Sequence, residues 1–177
     1  EIILNAHQNL IKKYPNLILI LVPRRVERME EIALLINNKN LSFAFRSSLE
    51  QAGPHSIILL DTMGELAQVY ALGQVAFVGN SLVKPGGGHS LIEPLSHGLP
   101  VLHGPYIENI GHVSEMAHSQ GLALQVKNAE ELSEKIQALL ENKIHRQELA
   151  EKAHALIAQQ QGASIIMASL ITHHLKN

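Results

Sequence analysis

Ile57-Ile58-Leu59-Leu60-Asp61-Thr62-Met63-Gly64-Glu65 sets a short apolar run directly against a polar turn that carries a glycine, and the chain repeats this device twice more before Asn109. Val75-Ala76-Phe77-Val78 ends in Gly79-Asn80-Ser81, followed by Pro85-Gly86-Gly87-Gly88-His89-Ser90, and Val101 and Leu102 lead into His103-Gly104-Pro105. Short, wholly apolar runs suit strands buried on both faces, the habit of parallel sheets. An open α/β sheet places its ligand contacts beyond the carboxyl ends of such strands, where helix N-termini offer unpaired N–H groups to an anion. The stretch therefore predicts both a fold class and a functional centre.

Helix and strand patterns alternate along the rest of the chain, as in repeated βα units. A helix over 2–13 stops before Pro15, and a strand over 17–22 leads past Pro23 into a helix over 26–36. Strands over 42–45 and 57–60 flank the breaker Gly53-Pro54, and a helix over 65–72 stops at Gly73. Then come a strand at 75–78, a helix at 91–97, a strand at 101–102, a helix at 109–119 ended by Gly121, and a strand at 122–126. Asn128 with Glu131 three residues on is a capping-box arrangement, and helices fill the remainder with an interruption near Gly162. The pattern predicts an α/β fold, a Rossmann-like parallel sheet of about six strands with helices on both faces, in one domain covering residues 1–177. The chain enters a helical pattern at once, without an initiator methionine, and is expected to be a piece of something longer.

Composition narrows the function classes. Hydrophobic residues make up 46% of the 177 but aromatics only 3%, with no tryptophan, so the core is expected to be Leu, Ile, Val and Ala in helices on a sheet. A net charge of -2 offers no polyanion-wrapping surface, so nucleic acid is not an expected partner. The absence of cysteine excludes disulfides and thiolate chemistry. No apolar run reaches the roughly 18 to 20 residues of a membrane span, and a soluble piece is expected.

Three places hold candidate site residues. Gly64 and Glu65 stand between a strand and a helix, where their N–H groups face outward with the helix dipole behind them, and Gly64 lets a ligand approach the backbone. The competing reading is an ordinary helix start capped by Asp61 or Thr62. Gly86-Gly87-Gly88-His89-Ser90 fits neither the dinucleotide fingerprint nor a P-loop, yet three successive glycines suit a loop that wraps a phosphate. Ser90 is placed to cap the next helix, and Glu93 either accepts a ribose diol or complements the helix dipole. After the first strand, Pro23-Arg24-Arg25 brings a guanidinium to the same end of the sheet. His112, Glu115 and His118 lack the His-Glu-x-x-His spacing, so no metal is expected. No nucleophile-elbow triad is visible.

Taken in order, Val22-Pro23-Arg24, Asp61-Thr62-Met63-Gly64-Glu65-Leu66, Phe77-Val78-Gly79-Asn80-Ser81-Leu82-Val83, Gly87-Gly88-His89, Glu93-Pro94, Pro100-Val101 and Gly104-Pro105-Tyr106 resemble the C-terminal half of 3-deoxy-D-manno-oct-2-ulosonic acid (Kdo) transferases. The likeness covers nearly the whole chain. It departs from the family pattern at Ser90, where asparagine is expected, at Asn80, where glycine is usual, and in a loop one glycine longer. The resemblance implies a GT-B glycosyltransferase whose C-terminal domain holds the sugar nucleotide, here CMP-Kdo, with a lipid A precursor as acceptor at the cytoplasmic face of a Gram-negative inner membrane. It assigns Pro23 and Arg24 to the cytidine moiety, and Met63, Gly64 and Glu65 to base and phosphate. Ser90, Leu91, Ile92 and Glu93 take the phosphate and the ribose, and Asn80, Ser81, Gly87, Gly88 and His89 are further loop contacts. It implies inverting transfer without a metal or other cofactor. The family's catalytic carboxylate belongs to the N-terminal domain, so no catalytic residue is assigned in this chain, which is expected to be inactive alone. Two other readings stay open: another GT-B transferase or an epimerase with a UDP-linked sugar, and a nucleotide-binding module without chemistry.

Overall fold

The computed structural model describes residues 1–51, 55–107 and 111–174, without the side chains of Glu50, Gln51, Gly111, His112 and residues 161–174. The breaker Gly53-Pro54 and the helix start at Asn109 lie outside the described residues, as do the side chains of His173 and His174. In chain order the elements are α1 (Ile2–Leu10), β1 (Leu19–Leu21), α2 (Met29–Asn37), β2 (Phe43–Phe45), β3 (Ile57–Leu59), α3 (Leu66–Leu72), β4 (Ala76–Val78), α4 (Ile92–Ser96), β5 (Val101–His103), α5 (Gly111–Ser119), β6 (Ala123–Gln125), α6 (Ala129–Glu141) and α7 (Lys143–His174). All six expected strands are present and every pairing is parallel.

The strands form two three-stranded sheets, β1-β3-β2 and β4-β5-β6, in place of one sheet of about six. An apolar run reveals that a segment is a strand; which N–H groups find which C=O groups is settled by the chain between them, which the run does not encode. The chain divides correspondingly into two compact units, residues 1–72 with 128–137, and residues 73–127 with 138–177.

In the first unit, the central strand β3 hides Ile57 and Leu59 completely, and Ile57 joins Leu4, Ile36 and Leu41 in a core flanked by Leu19, Leu21 and Phe43. Each fully buried side chain of this size contributes about 1.5–3 kcal/mol. Helix α2 ends as its sequence dictates: Asn40 takes the left-handed conformation at φ 54°, and the Leu41 and Asn40 amides donate back to the Ile36 and Asn37 carbonyls. Asparagine tolerates that conformation better than other residues with a Cβ, and the Schellman cap it forms draws buried Leu41 onto Ile36. Asn128 caps α6 as expected, its Oδ1 accepting the Glu131 amide at 2.8 Å.

In the second unit, β5 is buried at every position, as a central parallel strand covered on both faces should be. Gly98 and Gly121 close α4 and α5 with the same cap at φ 71°. A Cβ on Gly98 would lie 3.0 Å from both Ala150 and His154 of α7, so this glycine lets α4 approach α7 closely. Helix α7 runs through Gly162 without the expected interruption. A single glycine costs about 1 kcal/mol against alanine in a helix interior, too little to break a helix flanked by Gln159-Gln160-Gln161 and Ala163. No helix among the described residues is long and apolar enough to cross a membrane.

Candidate functional site

Because β1, β2 and β3 are parallel, the segments leaving their carboxyl ends emerge on one edge of the first sheet. After β1, Pro23 is half-buried and Arg24 exposed, and the Arg24 guanidinium makes no hydrogen bond or ion pair among the described residues. An open depression of about 480 Å³ lies at this edge, lined by Val26, Glu27, Met29, Glu30, Phe45 and Asp61. Phe45 and Asp61, which are not among the residues expected at the site, line this depression from the carboxyl ends of β2 and β3.

The turn after β3 has more structure than a plain helix start. Glu65 is the first residue of the α3 cap, its carbonyl accepting the Val69 amide at 3.0 Å. Asp61 and Thr62 have other partners: Asp61 accepts the Ser47 amide at 2.9 Å and the Ser47 hydroxyl at 2.5 Å, and the Thr62 hydroxyl donates to Glu65. The second Glu65 oxygen meets the Arg46 guanidinium at 2.9 Å. Met63 is 85% exposed, and Gly64 adopts φ 82° with nothing within 4 Å of where a Cβ would stand. Burial pushes the Asp61 carboxyl up, but the Ser47 hydroxyl and amide, its own amide and the Arg46 charge outweigh this and hold it below the ordinary carboxylate range.

In the second unit the loop after β4 is pinned from within. Asn80 adopts the left-handed conformation at φ 57°, one that glycine, the residue expected here from the resemblance, also takes readily. Its carbonyl accepts the Gly88 amide at 2.9 Å and its side-chain amide donates to the Gly86 carbonyl at 3.1 Å, so Asn80 spans the base of the glycine loop. Ser81 is fully buried; its hydroxyl donates to the Val78 carbonyl at 2.6 Å and accepts the Gly104 amide at 2.8 Å. The Gly87 amide donates to Tyr106 at 3.1 Å, and the Tyr106 amide donates to Ser81 at 2.9 Å. Gly87 and Gly88, both buried, have φ 122° and 65°, values that favour glycine. Asn80, Ser81, Gly87 and Gly88 thus hold one another, and His89 follows them half-buried.

Leu91, rather than the expected Ser90, stands at the N-cap of α4, and the Ser90 hydroxyl just before it accepts the Ile92 amide at 3.2 Å. Leu91 is buried and can offer a ligand only its backbone, whereas Ile92 and Glu93 are exposed. The Glu93 carboxylate is unpaired among the described residues. Among the described residues, groups open to a ligand include the Arg24 guanidinium and the Met63-Gly64 backbone in the first unit, and the Ser90 and Leu91 amides and the Glu93 carboxylate in the second. Among the described residues no three His, Asp or Glu side chains converge as metal ligands.

Two buried imidazoles accompany these elements. His103, at the end of β5, sets Nδ1 2.6 Å from the Gly104 carbonyl and Nε2 2.9 Å from Nε2 of His118. Burial lowers its pKa, the Gly104 carbonyl opposes this, and the His118 charge adds to the lowering. In the first unit, burial lowers His7 against the opposing contact with the Ser56 backbone. Both rings resist protonation when folded and accept it freely when unfolded. Below the ordinary imidazole value of 6.5 the unfolded chain takes up protons that the native chain refuses. The associated stability is complete above that value and is lost as pH falls through the depressed native values. Thermal melts are expected to show a lower midpoint at pH 5.5 than at pH 7.5; an equal or higher midpoint at pH 5.5 would contradict this account.

Comparison with known proteins gives these elements a context. The family described as "Glycosyl transferases group 1" matches residues 1–156. A 3-deoxy-D-manno-octulosonic acid transferase of Haemophilus influenzae is 36% identical over 99% of this chain and 42% of its own length, and one of Aquifex aeolicus is 38% identical over 79% of this chain and 38% of its own. The chain thus spans about two fifths of the length of these two relatives. A crystal structure described as the C-terminal CMP-Kdo binding domain of WaaA from Acinetobacter baumannii superposes with a TM-score of 0.80 at 32% identity, covering 88% of this chain and 81% of that one.

Proposed function

We propose that this chain, which belongs to the group 1 glycosyl transferases, is the donor-binding half of a GT-B enzyme that transfers Kdo from CMP-Kdo to a lipid A precursor. The observation that carries the reading is the likeness, in both sequence and backbone, to a solved domain described as binding CMP-Kdo. The chain's own chemistry agrees with that ligand. A nucleoside monophosphate needs one anion site, a diol acceptor and a surface for the base. In the proposed roles, the backbone amides of Ser90, Leu91 and Ile92 face the phosphate, Ile92 giving up its bond to the Ser90 hydroxyl, and Glu93 accepts hydrogen bonds from the ribose hydroxyls. Pro23, Arg24, Met63, Gly64 and Glu65 serve the cytidine and its phosphate.

The proposed reaction follows from the leaving group. An acceptor hydroxyl, deprotonated by a base on the other half of the enzyme, attacks the anomeric carbon as CMP departs, which inverts that centre. CMP leaves with a single phosphate, so a guanidinium and aligned backbone donors can stabilise its charge where a diphosphate often calls for a metal ion. The intact enzyme would act at the cytoplasmic face of the inner membrane, where its lipid acceptor lies, and this chain alone would bind the donor nucleotide without turning it over.

The direct test is a titration of the chain with CMP, UMP and UDP, with and without a metal chelator, followed by backbone amide shifts. Chelator-insensitive, CMP-selective shifts at Arg24, Gly64 and Ser90 to Glu93 are expected. A preference for UDP would reassign the chain to a transferase with another donor, and Kdo transfer by the chain alone would overturn the division of labour.

A further inference from the structure

Arg46 and Ser47, the two residues that leave β2, both reach the turn that leaves β3. Arg46 meets Glu65 at 2.9 Å, and Ser47 holds Asp61 with its amide and its hydroxyl at 2.9 and 2.5 Å. The Thr62 hydroxyl ties the remaining Glu65 oxygen back to the turn itself. Residues 61 and 65 are thereby gripped from one neighbouring strand, while the apex between them is bare: the Met63 side chain is 85% exposed and Gly64 has no neighbour on its Cβ side. A glycine at positive φ has many other conformations open to it, and no packing at the apex selects this one. The selection falls to polar contacts: the two grips from β2, and the Gln68 side-chain amide of α3, which donates to the Gly64 and Glu65 carbonyls at 3.3 and 3.0 Å.

Stability is a poor explanation for the ion pair. The Arg46 and Glu65 side chains are 43% and 32% exposed, a setting in which ion pairs contribute little to folding. Geometry is a better one, because a binding element gains from being held in its bound shape before the ligand arrives.

We infer that Arg46 and Ser47 are positioning residues, which grip the Asp61–Glu65 turn at both ends and so fix the Met63-Gly64 backbone in the shape that receives a nucleoside monophosphate. The inference rests on the donor-site reading above. It assigns neither residue a contact with the nucleotide. A half-exposed guanidinium has an alternative use, direct pairing with the phosphate, and the two uses differ in how Arg46 depends on Glu65.

The test has two arms. In the ligand-free chain, backbone order parameters at the Gly64 and Glu65 amides are compared between the parent and Arg46→Ala/Ser47→Ala. A fall from about 0.85, the rigid-backbone value, to below about 0.6 is expected at these amides, with an unchanged melting midpoint and unchanged order parameters in α1 and α2. In the second arm, CMP is titrated into the parent, Arg46→Ala, Glu65→Gln and the double variant. About tenfold weaker binding is expected for each single variant, with no further loss in the double. Unchanged order parameters overturn the inference, and so do additive losses, which would make Arg46 a phosphate ligand in its own right. A parent chain that does not bind CMP sinks the donor-site reading instead, and the order-parameter arm then decides alone whether Arg46 and Ser47 hold the turn.

Discussion

Gly104→Ala is expected to destabilise the chain by about 3 kcal/mol or more and to lower its melting midpoint by about 6–12 °C. A Cβ at this position would lie 2.0 Å from the Ser81 carbonyl oxygen, 2.3 Å from its carbon and 2.5 Å from the Leu82 Cα. These are backbone atoms, so no side-chain rotation relieves the overlap. They cannot retreat freely either, because the Ser81 carbonyl accepts the Tyr106 amide and the Ser81 hydroxyl accepts the amide of Gly104 itself. Separating the two segments would strip the Gly104 amide and the Ser81 carbonyl of their partners, while the Ser81 hydroxyl keeps its bond to Val78, which adds desolvation to the steric cost. Gly79→Ala is the matched control. Gly79 also follows β4 directly, yet nothing lies within 4 Å of its Cβ position, and its replacement is expected to leave the melt almost unchanged. Equal effects of the two substitutions would refute the packing argument.

Gly64→Val is expected to do the reverse, sparing the fold and removing the ligand. The space around Gly64 is open, so the folding penalty is that of a β-branched residue at φ 82°, about 1–2 kcal/mol. If the Met63-Gly64 backbone receives the nucleotide as proposed, the valine side chain occupies the face the ligand approaches, and CMP affinity should fall about a hundredfold. Calorimetric titration of the variant beside its thermal melt separates the two effects. A folded variant that binds CMP as well as the parent would remove this turn from the site. The two glycines thus make opposite predictions for stability and binding, although each follows a strand and each stands beside a polar turn.

The parts of the fold legible in the sequence are those decided locally. The apolar runs mark all six strands, and the cap of α6 was readable from Asn128 and Glu131 because its hydrogen bond spans three residues. The strand ladders were not legible. β3 lies between β1 and β2, an order that depends on contacts between segments well separated in sequence. Site residues divide in the same way. The exposed groups, Arg24, Met63 and Glu93, stand in turns whose position after a strand or at a helix start gives them away. The brace from Arg46 and Ser47 joins residues 14 and 19 positions apart, and only the polar Arg-Ser-Ser following Phe43-Ala44-Phe45 hints at it. Asn80 shows a third limit. Glycine and asparagine look unlike on the page, yet at φ 57° they serve one conformation, and the asparagine adds a bond to Gly86 that a glycine lacks.

The path of the chain between the two units bears on how it folds as it is made. The first unit is completed by residues 128–137, which emerge only after the whole stretch 73–127 of the second unit. All three strands of the first sheet leave the ribosome before residue 73, whereas Ala129 and Leu132, both buried in the finished protein, follow only after residue 127. The second unit in turn waits for Ala153, Leu156 and Ile157 of α7. Neither unit is built from an uninterrupted segment, so completing them one after the other in the order of synthesis does not match the path of the chain. A nascent chain stopped short of α6 leaves both units unfinished at once, with the apolar surface that Ala129, Leu132 and Leu156 later cover still exposed.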